Sequence, residues 1–118
     1  MLAQATPLAY IHTMLLIETS IFTRCIQQLL ADEPYRLLQQ QLVAKPDTGR
    51  VIPGSGGLRK MRWSVSGRGK RGGIRIIYYW AVAREQILLL FVYPKNEQDD
   101  LTPAQQRALK RIIDEEYR

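Results

Sequence analysis

Cysteine and histidine are nearly absent from this 118-residue chain, with Cys25 and His12 the only ones of their kinds. A lone cysteine closes no disulfide within the chain and suits a reducing, cytoplasmic setting. Cys25 falls in an apolar stripe with nothing nearby to depress a thiol pKa, so it reads as a small buried hydrophobe. A lone histidine removes the histidine acid/base pair and the Ser-His-Asp triad, and with one cysteine it cannot assemble a zinc site. Long hydrophobic runs are missing too. No apolar stretch reaches the roughly 18 residues that a membrane-spanning helix needs, so no membrane partner is expected. Met1–His12 lacks the positive start and small-residue cleavage site of a signal peptide. Residues 1–12 are therefore expected to be a loosely ordered extension, or an over-long start, before a single domain over 13–118.

Acid is missing from one long stretch, since no Asp or Glu occurs between Thr48 and Arg84. What fills it is basic. Gly57–Tyr79, GLRKMRWSVSGRGKRGGIRIIYY, carries seven Lys/Arg between Arg59 and Arg75 on a segment that reads as a β-hairpin. The whole chain has a formal charge of +6 and a pI of about 9.8, concentrated in this middle third. A fixed cationic face on a hairpin suits a polyanion, and phosphodiester backbone in particular.

Around the hairpin the pattern predicts an α+β domain of two layers. Thr13–Thr19 reads as a strand. Ser20 is the expected N-cap of a helix over about Ser20–Leu30, with Ile21, Phe22, Cys25, Ile26, Leu29 and Leu30 on one face. Asp32-Glu33-Pro34 starts a second helix, and Lys45-Pro46 ends it. Pro46–Gly57, with two prolines and four glycines, reads as a loop. Strands follow at Leu58–Val65, Ile74–Ala81 and Gln86–Tyr93, an antiparallel meander joined by Ser66–Gly73 and Arg84-Glu85. Thr102-Pro103-Ala104-Gln105 is a capping box opening a last helix. All the helices are expected on one face of the sheet.

Period-two alternation places Met61, Trp63 and Val65 toward the core and Lys60, Arg62 and Ser64 on the other face. Arg75, flanked by apolar residues, should be paired or line a groove. Tyr93 and Lys95 stand where an apolar strand emerges into a loop, able to reach over a sheet-face groove. Tyr78, Tyr79 and Trp80 read as sheet packing. The glycine-rich Ser66–Gly73 loop lacks P-loop spacing and a following helix, and reads as a flexible backbone clamp. Glu97, Asp99 and Asp100 are explained by the positive end of the helix dipole, with no metal invoked. A phosphodiester cleaved by such a set must be RNA, whose 2′-hydroxyl can act as nucleophile.

Taken in order, GSGGLRKMRW, GRGKRGGIRIIYYW and LLLFVYPKNEQDDLT resemble the RelE/ParE toxin superfamily, and specifically its HigB-like branch of type II toxin–antitoxin systems, over about Met14–Leu101. The resemblance implies a RelE-like toxin fold and a ribosome-dependent, metal-independent mRNA endonuclease that needs no cofactor. Its partners would be the ribosome, mRNA and a cognate antitoxin, a helix-turn-helix HigA-like protein. Carried over by position, the catalytic set is Lys60, Arg62, Arg75, Tyr93 and Lys95; from the basic charge of the hairpin, Arg59, Arg68, Lys70 and Arg71 are expected to contact RNA or ribosome. The 2′-hydroxyl would attack the adjacent phosphate, with Lys60 or Tyr93 assisting its deprotonation. Arg75 would stabilise the developing charge and Lys95 or Arg62 the leaving 5′-oxygen, giving a 2′,3′-cyclic phosphate. A ParE-like gyrase poison on the same fold and a non-enzymatic nucleic-acid-binding module are the alternatives, and the retained basic set argues against the first.

Overall fold

In a computed structural model that describes residues 14–65 and 73–117, five strands make one sheet in the order β1-β5-β4-β3-β2. Along the chain these are β1 (Leu15–Glu18), helices α1 (Ser20–Leu29) and α2 (Asp32–Ala44), and β2 (Arg50–Val51). Then come β3 (Arg59–Trp63), β4 (Ile74–Ala81), β5 (Gln86–Pro94) and helix α3 (Pro103–Tyr117). The expected leader and the loop cations Arg68, Lys70 and Arg71 lie outside the described residues.

The antiparallel meander β3-β4-β5 is as expected, and β1 adds to it parallel to β5, from Leu15↔Gln86 to Glu18↔Leu89. A parallel neighbour needs a long crossover, which the intervening helices and β3-β4 hairpin supply. The stretch expected as loop, 46–57, holds a further strand: Arg50 and Val51 pair with Lys60 and Arg59. Two residues are too few to show a period, which is why the sequence conceals it. The loop is pinned from the sheet. The buried Tyr78 hydroxyl donates to the Pro46 carbonyl at 2.7 Å and accepts from the Gly49 N–H at 2.8 Å. A Cβ on Gly49 would meet the Lys60 carbonyl oxygen and the Tyr78 ring at 2.9 Å, so only glycine permits this approach.

Both sheet faces are covered. Phe22, Ile26, Leu38 and Leu42 of α1 and α2 pack with Ile76, Tyr78, Ile87 and Leu89. On the opposite face Leu109 and Ile113 of α3 pack with Leu58, Ile77, Leu88 and Leu90. The helices are thus divided between the faces, where the sequence pattern suggested one. The reason is that β4 and β5 are apolar on both sides, and each side exposes surface that some element must cover. A β-bulge sets the two faces: Ile77 pairs with Phe91 but Tyr78 with Leu89, leaving Leu90 as the extra residue. Beyond it Val92 returns to the α1/α2 face and Tyr93 to the α3 face.

Helix ends follow local chemistry with one shift. The N-cap of α1 is Thr19, not Ser20; its hydroxyl accepts from the Phe22 N–H at 3.1 Å and donates to the Leu90 carbonyl at 2.9 Å. Thr19 wins because the same hydroxyl caps the helix and anchors it to β5. α3 has the expected capping box, with the Gln105 N–H bonded to Thr102 Oγ1 at 3.1 Å and the Thr102 N–H to Gln105 Oε1 at 2.9 Å.

Candidate functional site

Register brings three of the expected residues into one row. Arg62 of β3 lies opposite Arg75 of β4, which lies opposite Tyr93 of β5. Directly opposed residues share a sheet face, and strands stand about 4.8 Å apart, so three side chains can converge on one small anion. Lys60, two residues before Arg62, falls on the same face. This is the face that carries α3, and the row lies at the end of the sheet where β5 runs out into the turn toward α3.

That turn folds back over the row. Arg75, 6% exposed, pairs with Asp99: Nε donates to Oδ1 at 3.3 Å and Nη2 lies 3.2 Å from it. The Lys60 ammonium pairs with the Asp100 carboxylate and donates to the Asp99 backbone carbonyl at 3.2 Å. The Tyr93 hydroxyl donates to that same carbonyl at 3.1 Å. Asp99 and Asp100 are therefore partners of the basic row rather than mere helix-dipole carboxylates, the role their position before α3 suggested. What conceals this in the sequence is distance: Arg75 and Lys60 lie 24 and 40 residues from their acidic partners.

The electrostatics show where an anion is favoured. Asp100 is held below the ordinary carboxyl range, first by its hydrogen bond from Lys60 and that ammonium's charge, with Arg62 and Arg75 adding to the effect. Three cations thus act on one point. Tyr93 is pushed up to about 12, chiefly by burial, with Asp100 and Asp99 adding and Arg75 opposing. At neutral pH its phenol is a proton donor. Cations and a phenolic O–H gathered on one face suit a phosphoryl group that gains negative charge.

The remaining expected residues are distributed differently. Lys95 is exposed just past β5, its backbone N–H bonded to the Gly73 carbonyl at 3.0 Å, which ties the start of β4 to the turn. Arg62, the member of the row on β3, is exposed. Arg59 points to the other face: Nη1 donates to the Gly49 carbonyl at 2.7 Å, and the guanidinium lies 5.9 Å from the centre of the Trp80 ring. The aromatic residues pack as expected, with Tyr78 fully buried and Tyr79 against Tyr117 at 5.2 Å. Cys25 is partly buried against the α1/α2 core. Among the described residues no helix is long and apolar enough to cross a membrane.

Comparison with known proteins adds a family. A free-state structure of an arginine-to-alanine double mutant of the E. coli toxin RelE is 13% identical, with a TM-score of 0.49, covering 66% of this chain and 79% of that one. The family model described as the RelE toxin of the RelE/RelB toxin–antitoxin system matches residues 38–117, more than half of the chain and all of the row. The chain belongs to the RelE toxin family of toxin–antitoxin systems.

Proposed function

We propose that this toxin is a ribosome-dependent mRNA endoribonuclease that stops translation, and that the row Lys60, Arg62, Arg75 and Tyr93, with Lys95, is its catalytic site. The observation that carries the reading is the cross-strand register Arg62↔Arg75↔Tyr93, which sets two guanidinium groups and a phenol side by side on one face. In RNA the 2′-hydroxyl attacks the adjacent phosphorus in line, and the P–O5′ bond breaks. Arg75 stabilises the charge on the phosphoryl oxygens. Tyr93, pushed up to about 12, stays a phenol and takes no proton from the 2′-hydroxyl; the Lys60 ammonium favours the 2′-oxyanion by its charge while the 2′-hydroxyl proton leaves to solvent. Arg62 or Lys95 accompanies the leaving 5′-oxygen. The products are a 2′,3′-cyclic phosphate and a 5′-hydroxyl. Arg68, Lys70 and Arg71, with Arg59 on the far side of β3, would supply ribosome or RNA contacts. The neutralising antitoxin would be a helix-turn-helix protein of the HigA kind.

The test is a synthetic mRNA with one 2′-deoxy nucleotide at the scissile position, presented on intact ribosomes. Cleavage blocked at that nucleotide, with a cyclic phosphate on the all-ribose control, is the expected result. Efficient cutting of the deoxy substrate would mean that water or a protein group is the nucleophile. Mapping mRNA ends after induction completes it: cuts within translated codons support the nuclease, and an SOS response without cuts turns the reading to gyrase.

A further inference from the structure

Asp99 touches three members of the row at once. Its carboxylate meets Arg75 at 3.2 and 3.3 Å, and its backbone carbonyl accepts from Tyr93 at 3.1 Å and from Lys60 at 3.2 Å. The Arg75 side chain is 7% exposed whereas that of Asp99 is 56% exposed, so the carboxylate closes the row from its solvent side. A guanidinium withdrawn from water needs a counter-charge and acceptors. Among the described residues Asp99 supplies the only ion pair to Arg75, and the other contact is a long 3.4 Å one from Nη1 to the Ile74 carbonyl.

The edge used matters. A carboxylate on the Nε–Nη2 side fixes the guanidinium plane while leaving the Nη1–Nη2 end able to donate to a second acceptor. The helix start does not need Asp99, because Thr102 and Gln105 close the capping box on each other.

We propose that Asp99 is the positioning residue of the site. Its carboxylate orients Arg75 toward the phosphoryl group, and its backbone carbonyl holds the Tyr93 hydroxyl and the Lys60 ammonium beside it. The inference rests on the RNA-cleaving reading above and adds to it the group that sets the geometry of Arg75. It also gives the turn a purpose in the chemistry: β5 delivers Tyr93, and the chain then returns within six residues to organise the row that Tyr93 completes.

The experiment uses the full chain with Asp99→Asn, Asp99→Ala and Asp99→Glu, each alone and combined with Arg75→Ala, and measures kcat and KM on ribosome-bound mRNA. Misplacing a catalytic group by about 1 Å costs on the order of 100-fold, so Asp99→Asn and Asp99→Ala should lower kcat roughly 10- to 100-fold with KM little changed. Asp99→Glu should recover part of that loss. In the Arg75→Ala background, replacing Asp99 should cost nothing further, because the group it acts through is gone. Losses that multiply in the double variant would overturn the proposal. So would higher activity in Asp99→Asn, which would make the carboxylate a competitor of the substrate. A second readout is independent of cleavage: the Arg75 Nε–H NMR signal should be slow to exchange in the parent and fast in Asp99→Asn. An unchanged signal refutes the positioning role. A parent protein that cuts no RNA refutes the nuclease reading instead, and leaves the NMR arm to decide for Asp99.

Discussion

Arg75 is buried in the sheet at a cost that folding alone gives no reason to accept, since an apolar residue between Ile74 and Ile76 would fill the same place without desolvating a charge. On the RNA-cleaving reading proposed above, its use lies in the row. Arg75→Ala should lower RNA cleavage about 100- to 1,000-fold, the range for losing one preorganised charge donor to a transition state, and abolish growth arrest. The fold should survive, because Asp99 is then left at a solvated rim rather than in the core. A folded Arg75→Ala protein, checked by its thermal melt, that still arrests growth as the parent does would remove Arg75 from the site. Residue by residue, the site was partly legible. Lys60 and Arg62 followed from strict alternation along β3, and the pairing of Arg75 from the expense of a lone charge among isoleucines. The face taken by Tyr93 did not follow, because counting by twos from Ile87 and Leu89 puts it on the α1/α2 side, and the bulge at Leu90 reverses that count. Asp99 and Asp100 were invisible as partners because no local pattern encodes a contact made across the sheet.

Two connecting segments carry expectations of their own. The turn from Ile52 to Leu58 is built on Ser55, a fully buried serine whose hydroxyl donates to the Ile52 carbonyl at 2.6 Å and accepts from the Leu58 N–H at 3.0 Å. The backbone closes the same turn through the Ile52 N–H and the Leu58 carbonyl at 2.7 Å. Ser55→Ala leaves a buried N–H without its acceptor and should cost about 1–3 kcal/mol, read as a lower urea midpoint at unchanged m-value. A midpoint equal to the parent's would mean that water replaces the hydroxyl. This turn matters to the site because it delivers β3, with Lys60 and Arg62, in register. The sequence marked the segment as irregular through its glycines and prolines but could not show that one serine organises it. The hairpin loop carries the expectation of a backbone clamp. If Lys70 and Arg71 meet backbone phosphates as proposed, changing both to Ala should make the slope of log affinity against log salt for single-stranded RNA shallower by roughly 1.4. Single-turnover cleavage of pre-bound substrate should change far less. An equal loss in that chemical step would transfer the loop from clamp to catalytic site.

At the scale of the molecule, the α+β class and, β2 apart, the element order were legible because helix and strand periods alternate cleanly between strong stops. The division of the helices was not, since an apolar strand says that both its faces are covered without saying by which helix. Tyrosine hydroxyls tie these layers together. Tyr35 of α2 donates to Glu18 at the end of β1, Tyr78 secures the 46–49 segment, Tyr93 holds the turn before α3, and Tyr117 of α3 donates to Gln86 at 3.2 Å. All four are raised above the ordinary tyrosine value, each chiefly by burial, with the Glu18 carboxylate adding at Tyr35 and Tyr93 reaching about 12. A phenol raised in the folded state ionises first in the unfolded state, so its contribution is complete below about pH 10 and is lost as pH climbs through the folded-state value. Stability from urea melts should therefore start to fall above about pH 10 and go on falling through about pH 12, while native-state phenolate absorbance lags behind that of the unfolded chain. Lysines also lose their charge in this window, so Tyr35→Phe separates the causes. It deletes the phenol raised by both burial and a carboxylate, and should flatten the alkaline decline relative to the parent, even though it lowers stability at neutral pH by removing the bond to Glu18. An alkaline slope identical in Tyr35→Phe and parent would assign the decline to the lysines and end the case for the tyrosines as its cause.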